Sequence, residues 1–158
     1  MAGIDPGSSD RLYATPRLRD AVTQLLALEI GGAPATTETL AAASGRLLDK
    51  LSRQLAQVIG PAGVQSILLR AVRLRQSEFA FLDTRIVPGD SRASLAEPFR
   101  ACLLEQEPEV IREVSITLFA TFTGLLGTLI GDRLTWNLLR QIWPDTLLPR
   151  TEHRETEL

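Results

Sequence analysis

The sequence predicts an all-α protein: a single-domain helical bundle of five to six helices around a central apolar helix at about 108–130. Three observations predict it. The 158-residue chain is 44% hydrophobic but only 5% aromatic. Leu, Ala, Val and Ile must therefore fill the interior; Leu and Ala favour helix, and β-branched runs are scarce. Residues 114–131, VSITLFATFTGLLGTLIG, are eighteen positions without a charge, and every other segment reads as something that packs around them. Proline and glycine punctuate the chain as helices use them, with proline just inside the starts and glycine just past the ends.

Residues 1–14 read as a polar N-terminal arm rich in Pro, Gly and Ser. The bundle domain spans 15–147, and 148–158 form a polar C-terminal tail. A first helix starts at Thr15-Pro16, threonine as N-cap and proline where its missing N–H costs nothing. Leu18, Val22, Leu25 and Leu26 recur at helical spacing until Gly31-Gly32 ends the run. A second begins at Thr36 or Thr37 and reaches Ile59. Its apolar stripe is Leu40, Leu47, Leu48, Leu51, Leu55, Val58 and Ile59, opposite Arg46, Lys50, Arg53, Gln54 and Gln57.

Gly60 ends that helix and Pro61 opens the next, expected over about 61–81. Val64, Ile67, Leu68, Ala71 and Leu74 face inward there, and Arg70, Arg73 and Arg75 outward. Residues 82–93 are the longest connector, with Pro88-Gly89-Asp90 as a turn signal. A shorter helix at about 94–105 carries Leu95, Phe99, Cys102 and Leu103. Pro108, with Glu109 and Glu113 near the positive end of the dipole, starts the central helix. Gly131-Asp132 separates it from the last one, which is lined by Leu134, Leu138, Leu139 and Ile142, flanked by Trp136 and Trp143, and stopped by Pro144.

Shifting the chain by 71 residues superposes two helix–Gly–helix hairpins in one apolar phase. Leu47 falls on Leu118, Leu48 on Phe119, Leu51 on Phe122 and Leu55 on Leu126. Val58, Ile59 and Gly60 fall on Leu129, Ile130 and Gly131, and SILLR at 66–70 echoes NLLR at 137–140. Each connector is so short that the two arms of a hairpin should be antiparallel neighbours.

A charge-free run of eighteen sits at the lower edge of a bilayer span, which needs about 20 predominantly apolar residues. Ser115, Thr117, Thr121, Thr123 and Thr128 dilute this run, and Arg112-Glu113 and Asp132-Arg133 flank it without a basic bias that would set topology. One face is Ile111, Val114, Leu118, Phe122, Leu125 and Leu129; another holds Ile116, Phe119, Leu126 and Ile130. A helix apolar nearly all round is the central one of a bundle. Its remaining stripe, Glu113, Thr117, Thr121, Gly124 and Thr128, admits a close backbone or water. Thr117, Thr121 and Gly124 are thus candidate cavity-lining residues.

Catalytic chemistry is not evident. The single histidine, His153, lies in the polar tail, and one His with one Cys gives no zinc site within the chain. Cys102 reads as a buried structural thiol with no histidine to activate it. Phosphate loops, dinucleotide fingerprints and nucleophile elbows are absent. No catalytic residue, metal site or cofactor is therefore assigned. Seventeen basic residues against nineteen acidic ones give a net charge of −2, which does not suit a nucleic-acid partner. Only Lys50 among the basic residues is lysine, a bias that fits GC-rich bacterial codon usage.

What remains is surface. Arg70 and Arg73 belong to the one basic concentration, and Trp136 and Trp143 lie nearly on one side of the last helix, as interface aromatics do. The expected function is that of a non-enzymatic helical interaction protein, an adaptor or regulatory subunit with a protein partner or a second copy of itself. The alternatives are membrane association through 114–131 and a small-molecule sensor with an apolar bundle cavity. With one cysteine and no secretory leader, the expected location is the cytoplasm.

Overall fold

Thr15 caps the first helix, its hydroxyl accepting from the Leu18 amide at 3.2 Å. In the structure, a computed structural model describing residues 15–83, 86 and 95–144, α1 (Pro16–Ile30) then runs to a Gly31 with φ 64°. A reciprocal cap starts α2 (Thr37–Arg75): the Thr36 hydroxyl accepts from the Thr39 amide, and the Thr39 hydroxyl accepts from the Thr36 amide. Both groups would otherwise be unsatisfied at the helix start. α3 (Ala96–Leu103), α4 (Pro108–Ile130) and α5 (Asp132–Ile142) complete an all-helical bundle with no strand among the described residues. The expected 1–14 arm, the 148–158 tail with His153 and the Pro88-Gly89-Asp90 turn lie outside the described residues.

α2 is two helices joined through one residue. Gly60 has φ 82° and ψ 157°, a region open in practice only to glycine, and Pro61 follows without an amide hydrogen to continue the ladder. Gly131, between α4 and α5, has nearly the same conformation, φ 96° and ψ 150°. The echo read from the sequence therefore extends to the backbone of its turns.

The first arm of α2 (37–59) and α4 run parallel. The Thr37 hydroxyl donates to the Gln106 carbonyl at 3.0 Å, and one helical stretch further along both chains Ser44 and Ser115 share a buried hydrogen bond of 2.7 Å. Ser44 and Ser115 are themselves 71 apart. Residues equivalent under the repeat touch each other here, as they must on a pseudo-two-fold axis. Each hairpin then lays its second arm on the other's first arm. Gln54 donates to Gln141 of α5 at 3.2 Å, and Arg75, ending α2, donates through Nε to Thr121 of α4 at 2.7 Å.

α3 closes the core from the side. Phe99 is fully buried edge-on to Phe119, with ring centroids 5.6 Å apart. Gly45 lies under the start of α3, where an added Cβ would be in van der Waals contact with the Ala96 carbonyl oxygen at 3.4 Å. α1 bridges α2 and α4 with Leu18, Ala21, Val22, Leu25 and Leu26 buried. Every described position of α4 from Val114 to Gly127 is buried. Its 18-residue window has a mean hydropathy of 1.5 and lies 78% inside the bundle.

Several expectations need correction. The helix after Pro61 stops at Arg75 rather than about 81, because the Glu78 and Phe79 amides both turn back to the Arg75 carbonyl. That tight turn carries Leu82 into the core at 1% exposure. α3 is also shorter than 94–105. Arg75, placed outward by the helical phase, is 3% exposed. Val58, Leu74, Leu129 and Leu134, all assigned to inward faces, are exposed.

Candidate functional site

The polar stripe of α4 divides into two unlike halves. In its first half the hydroxyls are taken by arginines from neighbouring helices. Arg19 of α1 donates to Thr117 at 2.9 Å and to Glu113 at 2.8 Å, while Thr117 itself donates to Glu113 at 3.2 Å. Thr121 accepts from Arg75 and passes its own proton to the Thr117 carbonyl at 2.7 Å. Arg75 also pairs with Glu78 at 2.7 Å. A guanidinium that is 3% exposed has lost its water and must find such partners within the fold. Thr117 and Thr121 therefore hold helices together.

The second half opens. Gly124 and Thr128, with Thr123 and Gly127, line a cavity of about 320 Å3 closed by Thr15, Arg17 and Leu18 of α1 and by Asp132, Thr135 and Trp136 of α5. Gly124, one of the three candidate lining residues, reaches this cavity, whose walls are mixed rather than apolar. Trp136 is 5% exposed, with the Arg17 guanidinium 5.3 Å from its ring centroid.

Trp143 lies elsewhere. At 6% exposure its Nε1 donates to a Glu29 carboxylate oxygen at 3.1 Å. The same carboxylate receives Lys50 and, at 3.2 Å, Arg46, and the Glu29 side chain is only 5% exposed. Burial pushes the Glu29 carboxyl upward, but hydrogen bonds from Lys50, Trp143 and Arg46 and the Lys50 charge outweigh it. The net effect holds the group below its ordinary value. This cluster ties the end of α1 to α2 and to the end of α5. The two tryptophans share a helix but serve different neighbours, and neither presents an exposed ring.

Arg70 and Arg73 are both exposed on the second arm of α2. The structure brings neither to Trp136, Trp143 or the α4 stripe. Cys102 is half-buried, its thiol donating to the Phe81 carbonyl at 3.6 Å. Burial pushes that thiol above its ordinary value, and the Asp83 and Glu105 charges push it further the same way. Among the described residues no three His, Cys, Asp or Glu side chains are grouped to hold a metal ion.

Sequence reasoning passed over one surface. α4, otherwise sealed, ends on Leu129 at 62% exposure, the most exposed large apolar side chain among the described residues. Leu134, at the start of α5, is 43% exposed, and Val58, the repeat equivalent of Leu129, is 46% exposed. Because the first arm of α2 and α4 run parallel, the two glycine turns and these three side chains share one end of the bundle. No known protein family, curated protein or solved structure matches this chain.

Proposed function

We propose that this chain is a non-enzymatic interaction protein, an adaptor or regulatory subunit that docks a protein partner through the bundle end bearing its two glycine turns. The observation that carries the reading is the exposure of Leu129 at the end of a helix buried through most of its length. Leu134 and Val58 add apolar surface at the same end. Covering an exposed leucine contributes about 1.5–3 kcal/mol, so a few such side chains in one contact can serve as its energetic centre. Trp136, Trp143, Arg70 and Arg73 enter the reading differently. Trp136 is buried in the first turns of α5 near that end, Trp143 is buried at the far end of α5 against Glu29, and Arg70 and Arg73 lie on the second arm of α2.

The test is affinity purification of the full chain from its native host, alongside sedimentation of the purified protein. Leu129→Ser with Leu134→Ser should abolish the specific partner, or a self-associated state, while circular dichroism and thermal unfolding stay near those of the parent. A partner retained by the double variant would overturn the proposal. So would a strict monomer with no specific partner. Flotation of the parent with liposomes, lost in the same variant, would give the surface to a bilayer instead.

A further inference from the structure

We propose that the cavity between the start of α1, the end of α4 and the start of α5 binds a small zwitterion of the α-amino-acid class. Its volume of about 320 Å3 lies at the small end of ligand pockets, which run from about 300 to 1,000 Å3. Its walls are chemically opposed. On one side every threonine hydroxyl offers only acceptors. The hydroxyls of Thr123, Thr128 and Thr135 each donate their single proton to a helix carbonyl, those of Phe119, Leu125 and Gly131, at 2.9, 2.7 and 2.8 Å. What they can show a ligand is lone pairs.

The Asp132 carboxylate stands with them, so close to α4 that a Cβ at Gly127 would meet its Oδ1 at 2.8 Å. Arg17, from α1, adds a donor. Arg17 lies over the Trp136 ring by its guanidinium. A guanidinium held by a ring in this way still has N–H groups to offer a planar anion. Among the described residues neither Arg17 nor Asp132 has an ion-pair or hydrogen-bond partner through its charged group, although both line the same cavity.

An ammonium fits the Asp132 side and a carboxylate the Arg17 edge. Leu18 and Trp136 supply apolar wall for what lies between or beyond them. A simple amine would satisfy Asp132 but set a second positive charge beside Arg17. A simple carboxylate would meet Asp132 with the same charge. Only a molecule carrying both groups answers both charges, and a cavity of about 320 Å3 admits only a small one. This site is separate from the Leu129 surface, and either assignment can fail without the other.

The experiment is calorimetric titration of the full chain with glycine, L-alanine, L-serine and L-leucine, with 3-methylbutylamine and 4-methylpentanoate as analogues of L-leucine lacking one charge. At least one amino acid should bind, and removing either charge should weaken L-leucine binding by about tenfold or more, the scale of one charge-assisted hydrogen bond. Asp132→Asn and Arg17→Gln replace exposed side chains and should each weaken binding similarly with the helical circular dichroism unchanged. No heat with any of the four amino acids at millimolar concentration overturns the proposal. So does an amine that binds as well as L-leucine and is indifferent to Arg17→Gln, which would mark a plain cation site. Binding unaffected by both substitutions overturns it by placing the ligand elsewhere.

Discussion

The two hairpins, 37–75 and 108–142, share a turn, a phase and a contact on their common axis, yet they occupy different environments. Gly60 and Gly131 have matching dihedrals, and Ser44 meets Ser115. The first arm of α2, however, keeps a charged outer side with Arg46, Lys50 and Arg53 partly in water, while α4 is buried all round from Val114 to Gly127. The cause is what each arm supports. α4 is covered by α1, by α3 through Phe99, by α5 and by the second arm of α2; the first arm of α2 lacks the last layer on one side. A duplicated pattern fixes helix, turn and axis, and neighbours decide how much of each copy must be apolar.

The difference shows at equivalent positions. Lys50 and Thr121 stand 71 apart and each receives the end of the opposite hairpin. Lys50 meets Trp143 and Glu29 in a half-exposed cluster. Thr121 meets Arg75 in the interior. Where water is near, a charge and an aromatic edge suffice; where it is excluded, a hydroxyl takes the incoming guanidinium.

The sharpest way to break this comparison is to remove matched core side chains. Leu48 and Phe119 are repeat equivalents, both fully buried. Phe119→Ala should cost about 3–5 kcal/mol, and Leu48→Ala about 2–5 kcal/mol. Phe119 should exceed its counterpart, because its edge contact with Phe99 adds about 0.5–1.5 kcal/mol beyond area alone. Urea unfolding of both variants checks this. A Leu48→Ala penalty larger than that of Phe119→Ala would mean that α4 is not the mechanical centre.

A smaller effect separates the turns. No atom stands within 4 Å of a Cβ added at Gly60 or Gly131, so alanine is strained at either only by its dihedrals, at about 1–3 kcal/mol. The escape routes differ. At position 60, Pro61 disfavours the helical conformation in the residue before it, so the strain must be borne. At position 131 the following residue is Asp132, and the chain can relieve strain by straightening α4 into α5 and releasing the Trp143 contact with Glu29. Both variants should lose similar stability, but only Gly131→Ala should form concentration-dependent dimers, visible by size-exclusion chromatography, in which the freed arm docks on a second copy. Equal monomer content in the two variants would remove the asymmetry.

Much of this fold is legible because caps and periodicity are local. Thr15-Pro16, Thr36, Gly31, Gly60 and Gly131 set the helix ends with information lying within a few residues. The 71-residue echo is legible because both copies keep one apolar phase. Exposure is less so, since it depends on which neighbour reaches which face. Arg75 reads as outward on its own helix, and only the tertiary placement of Thr121 turns it inward. Leu129 continues the stripe of Val114 and Leu118, but among the described residues no helix covers its side chain. Trp136 and Trp143, offset from the main stripe, read as edge residues until Arg17 and Glu29 are found against them. Of the candidate cavity, Gly124 was legible; its charged walls, Arg17 and Asp132, lie in other segments and could not be joined to it by spacing.

The smallest expected effect probes the axis itself. Ser44 and Ser115 are each 0% exposed and exchange one hydrogen bond. Replacing one by alanine leaves the other hydroxyl buried without that partner, at about 1–3 kcal/mol. The low end applies, because a helical serine can turn its proton to the carbonyl four residues back. Replacing both removes donor and acceptor together and should cost less than the sum of the single changes, by about 1 kcal/mol of coupling. A double-mutant cycle by chemical denaturation measures that number directly. Strict additivity would mean that the two hydroxyls meet only because apolar neighbours place them there. Coupling would make the pair a polar lock at the crossing, fixing how far one hairpin can slide along the other where leucines on both sides would tolerate a slip.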